Sequence, residues 1–374
     1  MNGLPWFDDF ERIVLEGRPL IDTRAPVEFA EGAFPGAVNL PLMSDAERAE
    51  VGTCYKREGP EAALRRGHEL VNEAVRRPRI AAWAAFHREH PDAILYCFRG
   101  GQRSRIAQQW LAEYEGQVIP RLRGGYKAFR RYLLEQLETA LPAWLQTLPR
   151  YVLGGMTGSG KTRLLQRIPH SIDLEAIAHH RGSAFGRHVE PQPTQIAFEN
   201  ALAYALIRYR HADHPWLLFE DEGRNIGARY LPKALQAGLY DGARLLILET
   251  PFAERVAITL DEYVYAAQAR YREHDPERGL AAWQAALRES MDRIRRRLGG
   301  ERHRELVARF EAACRHQERT GETEAHREWI AYLLHEYYDP MYRYQLSRKT
   351  LPVAFRGDAE ALLAWLEAQE NHDG

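Results

Sequence analysis

A chain of 374 residues, 45% of them hydrophobic, exceeds the usual size of one domain and has enough apolar material for more than one core. Its 51 basic and 52 acidic residues nearly cancel, which excludes a global field that would draw the protein onto nucleic acid, so any polyanion must be met by local patches. Three scattered cysteines, Cys54, Cys97 and Cys314, exclude a disulfide framework or a CxxC metal site, and no apolar run approaches the roughly 20 residues of a membrane span.

The opening MNGLPWFDDFERIVLEG has no apolar core of signal-peptide type, so a cytoplasmic protein is expected, with a monomer as the default. A short apolar strand ending in LIDTR (20–24) is followed by the turn-rich GAFPGAVNLP (32–41). The stretch ELVNEAVRRPRIAAWAAFHREHP reads as one helix and AILYC (93–97) as a buried strand. SRIAQQWLAEYEG then reads as a helix with Ile106, Trp110 and Tyr114 on one face. QVIPRL gives a further short strand, and GGYKAFRRYLLEQLETALPAWL a helix that hands the chain on.

A second module starts with the strand YVLGG at Tyr151, and PWLLFEDE (215–222) and ARLLILETP (243–251) read as more strands. From about 278 to 338 the pattern is helical, broken at Gly299-Gly300, before PVAFRG (352–357) returns to the sheet and DAEALLAWLEAQE closes with a helix. Strands alternating with helices predict an α/β protein with parallel sheets. The expected domains are 1–140, a linker over 141–149, and 150–374 with a mainly helical segment at about 277–345.

CFRGGQRS (97–104) lies between a buried strand and a helix start, where successive backbone N–H groups of a glycine-containing loop can converge on one anionic atom. Such a loop favours a thiolate at Cys97, and Arg99, Arg103 and Arg105 add positive charge, as a nucleophile or sulfur carrier requires. Cys54 and Cys314 have no comparable loop and read as packing residues.

GMTGSGKT (155–162) fits GxxxxGK[ST] directly after a strand and before a helix. Gly155, Thr157, Gly158, Ser159 and Gly160 would wrap phosphates with backbone donors. Lys161 would supply charge to the outer phosphate and Thr162 a hydroxyl to Mg²⁺, the expected cofactor. In LLFEDE an acid can hold the metal's water shell, Glu220, Asp221 or Glu222; alternation puts Glu220 and Glu222 on one face and Asp221 on the other, without choosing between faces.

DLEAIAHHRGSAFG (173–186) reads as a polar loop in which His180 and Arg181 are candidates for phosphate or RNA contact. Adjacent His179 and His180 point apart, which disfavours a metal site. In MDRIRRRLGGERHREL an apolar face of Met291, Ile294 and Leu298 opposes Arg293, Arg296 and Arg297, a basic stripe that could meet RNA, with Glu289 and Asp292 close enough to pair with some of it. Arg224 in GRNIG completes the candidate contacts.

LIDTR, Glu28-Phe29, GAFPGAVNLP, the cysteine loop and LRGGYKAFR together resemble a rhodanese-like domain over roughly residues 14 to 137, which implies that Cys97 carries sulfur or selenium. Ala33 stands where many relatives have histidine. The five residues between Cys97 and Arg103 match the spacing of dual-specificity cysteine phosphatases, so loop length alone leaves phosphatase chemistry open. The order of modules, with PQPTQIAFENAL between the phosphate loop and LLFEDEGRNIG, resembles the tRNA 2-selenouridine synthase family across nearly the whole chain. That resemblance implies a transferase acting on the 2-thiolated wobble uridine of tRNA, with geranyl diphosphate and selenophosphate as co-substrates. The competing expectation is a P-loop ATPase or kinase with a rhodanese-like sulfur-carrier or phosphatase-like domain.

Overall fold

A computed structural model describes residues 3–370. The chain divides into two compact units: residues through Leu141 together with Thr194–Asp213, and Pro142–Pro193 together with the chain from His214 onward.

The first unit is built on five parallel strands in the order β1-β5-β4-β2-β3, where β1 is Trp6–Phe7, β2 Leu20–Asp22, β3 Ala37–Asn39, β4 Ile94–Tyr96 and β5 Arg121–Leu122. The central strands β2 and β4 are buried along their whole length, as strands covered on both faces of a parallel sheet must be. On one face Ile21 and Leu95 pack with Trp83 and Ala84 of the Glu73–Glu89 helix and with Ala107 and Leu111 of the Gln102–Glu115 helix. Elsewhere in the unit, Phe34 stacks against Phe129 at 4.5 Å between centroids, and Phe129 meets Tyr204 at 6.0 Å. Tyr204 belongs to the Gln195–His211 helix, which lies late in the sequence yet is fastened here by Asn200 donating to the Ala33 carbonyl (2.8 Å) and Arg208 to the Val14 carbonyl (2.7 Å). A Cβ on Gly32 would fall 2.4 Å from Ile196, so only glycine admits this helix so closely.

The single helix expected from ELVNEAVRRPRIAAWAAFHREHP is two helices. Pro60–Leu70 ends at Val71, and Asn72, extended rather than helical, starts the Glu73–Glu89 helix by accepting from the Val75 amide at 3.3 Å. Asparagine's short side chain satisfies an orphan first-turn donor, which is why it favours this cap over a helix interior.

The second unit holds a parallel sheet ordered β12-β11-β6-β8-β7: β6 is Arg150–Gly155, β7 Ser171–Ile172, β8 Leu217–Glu220, β11 Arg244–Leu248 and β12 Val353–Gly357. A separate antiparallel pair joins β9 (Asn225–Ile226) to β10 (Arg229–Tyr230). The PVAFRG strand does return to the sheet, as edge strand β12 beside β11.

Gly299, at φ +91°, divides the Gly279–Leu298 and Gly300–Thr320 helices. Trp283, Met291, Ile294 and Leu298 of the first pack in one core with Leu306, Phe310 and Cys314 of the second and with Trp329. Cys314 is thus a packing residue, whereas Cys54 sits half-buried in the Asp45–Glu58 helix.

Inside that helical core His326 is fully buried. The Trp329 indole N–H donates to its Nδ1 at 2.8 Å, which leaves the proton on Nε2, 2.9 Å from the Gln317 side-chain oxygen. Burial pushes its pKa down to about 4. A histidine held neutral in the folded state contributes stability that is present above pH about 6.5, where the unfolded chain is also neutral, and lost as pH falls through about 4. His326→Gln should therefore flatten the dependence of unfolding free energy on pH across that window in urea titrations; an unchanged slope would refute the assignment.

Candidate functional site

Cys97 is the first residue after β4, and the next helix begins at Gln102, so the chain turns from strand to helix around the sulfur. The thiol is buried, at 3% exposure, and donates to Ser104 Oγ at 3.2 Å, which in turn donates to the Gly101 carbonyl at 3.1 Å. Among the described residues, the amides of Phe98, Arg99, Gly100 and Gly101 donate to no backbone carbonyl. These donors remain available to an anion at the sulfur.

The loop is braced from behind by the start of the Gly125–Glu135 helix, whose Tyr126 amide donates to the Cys97 carbonyl and Lys127 amide to the Phe98 carbonyl, both at 2.9 Å. Gly125, at φ +60°, would place a Cβ 2.3 Å from both the Cys97 carbonyl oxygen and the Gly100 nitrogen. The RGGYKAF segment is therefore the second half of the thiol loop.

Three arginines surround it in different ways. Arg103 makes a two-pronged ion pair with Glu28, at 2.5 and 3.1 Å, and Arg48 adds a contact at 2.9 Å. Burial alone would raise the Glu28 carboxyl, but the hydrogen bonds and charge of Arg103 bring it below its ordinary value. Arg99 is exposed, its guanidinium 5.9 Å from the Phe98 ring.

Arg121 was not among the expected residues. The β4–β5 register sets it beside Leu95, two positions before Cys97, and it is buried at 6% exposure. It donates to the Gly100 carbonyl at 3.3 Å and lies 3.8 Å over the Trp6 ring, with its Nε unpartnered. Burial depresses its pKa, and the nearby Cys97 sulfur works in the opposite direction. A lone arginine inside the otherwise apolar QVIPRL was the signal that could have found it.

In the second unit β6 runs into the phosphate loop at Gly155, and Gly158 (φ +78°) and Gly160 (φ +82°) take left-handed conformations that glycine adopts readily. Lys161 donates to the Gly155 carbonyl at 3.1 Å, and Ser159 is buried at 4% exposure with its carbonyl accepting from Thr250 at 2.9 Å. The Thr157 carbonyl accepts from Arg255 Nε at 3.0 Å. Arg255 also donates to Met156 Sδ at 3.1 Å and is ion-paired with Asp339, both partners being buried. No motif marks this brace, because 84 residues separate its partners.

Thr162 donates to Glu220 Oε1 at 3.2 Å, while Glu220 Oε2 is buried without a partner among the described residues. Glu175, Glu220 and Glu222 each bring a carboxylate oxygen to within 4.8 Å of the others. Asp221 points to the opposite side and pairs with Lys349, so it does not join Thr162. Glu175, which the sequence did not single out, joins Glu220 and Glu222 instead. Burial pushes Glu220 well above the carboxylate range, with Glu175 and Asp173 adding to it against the pull of Lys161 and Thr162; burial and Glu175 raise Glu222 in the same way. Hard oxygen donors, one orphaned, fit a hard divalent cation such as Mg²⁺.

The remaining candidates are dispersed. His180 is nearly buried, and burial lowers its pKa. Arg181 donates to the Glu262 carbonyl at 3.1 Å, and Arg224 is exposed 5.9 Å from the Tyr230 ring. Arg293 ties the Ala184 carbonyl (3.0 Å) and Glu289 (2.9 Å), whereas Arg296 and Arg297 are exposed beside it on the same helix. His179 stacks on His188 at 4.4 Å between centroids.

Residues 8–132 match the family model of the rhodanese-like domain, and residues 148–373 match the model described as the tRNA 2-selenouridine synthase AAA domain. Proteins named tRNA 2-selenouridine synthase match along nearly their full length. That of Hydrogenovibrio crunogenus is 51% identical over 98% of this chain and 99% of its own. Those of Sulfurovum sp. (52%, over 98% and 99%) and Bordetella petrii (48%, over 96% and 95%) are similar.

Removing one partner of a buried ion pair strands the other charge and typically costs about 3–5 kcal/mol. Asp339→Asn should accordingly lower the urea midpoint and weaken binding of inorganic diphosphate through the loosened Arg255 brace. Wild-type values for both, measured by denaturation and calorimetry, would show that the pair does not support the loop.

Proposed function

The chain belongs to the tRNA 2-selenouridine synthase family, and from that premise we propose that it transfers a geranyl group from geranyl diphosphate to the sulfur of a 2-thiolated wobble uridine in tRNA, then replaces that sulfur with selenium from selenophosphate. A thiocarbonyl sulfur leaves poorly. Once alkylated it is a thioether on an activated carbon, so attack by selenium at C2 can break the carbon–sulfur bond and release geranyl thiol.

Free amides of the phosphate loop and Lys161 hold the diphosphate, and Thr162 with Glu220 would hold Mg²⁺, flanked by Glu175 and Glu222. That ion would neutralise charge developing on the diphosphate as its bond to the geranyl carbon breaks. Water breaks the P–Se bond of selenophosphate to give phosphate and selenide; the loop headed by Cys97 holds that anion with its amides and Arg121 behind them and presents it to C2, where the C–Se bond forms as geranyl thiolate leaves. Arg103 and Glu28 fix the wall of that loop as a bound pair, with Arg99 at the exposed rim.

The observation that carries this reading is that one chain, matched end to end by its relatives, holds both a cysteine heading a loop whose amides donate to no backbone carbonyl and a phosphate loop beside a buried carboxylate whose second oxygen has no partner among the described residues. With purified enzyme, Cys97→Ser should abolish selenation and spare geranylation, and Lys161→Ala should slow prenyl transfer by about tenfold or more. A serine variant that still selenates, or undiminished prenyl transfer by the alanine variant, would reject these roles; nucleoside mass analysis of the treated tRNA reads both.

A further inference from the structure

A cavity of about 600 Å³ lies against the phosphate loop within the second unit. That volume is in the roughly 300–1,000 Å³ range of small-molecule sites. Ser159 and Gly160 are part of its wall, so a ligand whose phosphates sit in the loop can extend into it. Its apolar wall is made by Leu164, Leu248, Pro251, Ala257, Ile258 and Ala359.

Most charged side chains around it are engaged with one another, while Glu254 has no partner among the described residues. Arg167 pairs with Glu360 at 2.9 Å, Glu249 with Arg356 at 3.1 Å, and Arg163 with Asp261 at 2.6 Å. Asp358 is committed to the start of the last helix, accepting from the Ala361 amide at 2.9 Å. Glu254 apart, the charged side chains around the cavity already have partners, and the larger part of the surface open to a ligand is apolar.

We propose that this cavity receives the hydrocarbon tail of the diphosphate substrate, a branched prenyl chain, while the phosphate loop takes its diphosphate. The proposal rests on the prenyl-transfer reading given above and specifies where the chain goes. Ala257 is the lever: it sits half-buried on the Phe252–Leu260 helix in the cavity wall, where a large side chain would fill the space and leave the loop residues in place.

Burying even three or four methylenes of the tail implies that the full-length protein binds geranyl diphosphate at least about 100-fold more tightly than inorganic diphosphate, measured by calorimetry with Mg²⁺. Ala257→Trp should reduce that preference to within about threefold while leaving inorganic diphosphate binding unchanged, and Ala257→Ser should keep it. Ala359→Phe fills the cavity from a different helix and should act as Ala257→Trp does, which guards against a local folding defect in one variant. A preference that survives both filling variants overturns the cavity assignment alone. A wild-type protein that binds inorganic diphosphate with no preference for the geranyl ester overturns the prenyl-transfer reading, and this proposal with it.

Discussion

In both units the loop at the carboxyl end of a parallel strand depends for its geometry on glycines in left-handed conformations. Gly100 and Gly125 let the β4 loop and the helix behind it approach within a few ångströms of Cys97, and Gly158 and Gly160 do the equivalent for the loop after β6. A side chain at Gly125 or Gly158 would collide with backbone or with a buried threonine hydroxyl, so the donors can converge only if those positions stay bare.

Each cradle is also backed by a buried charge that a purely apolar core would lack. Arg255 and Asp339 neutralise one another beneath the phosphate loop, and the guanidinium reaches the Thr157 carbonyl. Arg121 lies under the thiol loop with a bond to Gly100 and the face of Trp6, and its buried Nε has no partner. An incompletely satisfied buried cation is costly unless something negative compensates it, and the Cys97 sulfur is the nearby group that can carry that charge. The cluster of Glu175, Glu220 and Glu222 presents the reverse case, where burial and mutual repulsion favour the protonated carboxyl at Glu220.

Much of this was legible from the chain. LIDTR, AILYC and YVLGG gave strands, GMTGSGKT gave the phosphate loop, and PVAFRG correctly returned to the sheet, because short apolar runs bounded by glycine have few other folded solutions. Alternation along LLFEDE separated Glu220 from Asp221 but could not say which face met Thr162, since that is decided by the neighbouring strand β6. Glu175, Arg121, Arg255 and Asp339 stayed hidden because their partners lie tens of residues away and no spacing rule connects them. The affiliation of the Gln195–His211 helix with the first unit was equally unreadable, for it depends on Gly32 and Ala33 meeting Ile196 and Asn200.

What unites the two cradles is the proposed exchange, in which a nucleobase sulfur is first made expellable and then replaced. Mass analysis of nucleosides from the tRNA of cells lacking this gene tests that account most directly. It predicts that 2-selenouridine disappears while the 2-thiolated nucleoside persists, and that the selenated form returns when the gene is restored. Undiminished 2-selenouridine in the deletion strain would contradict it.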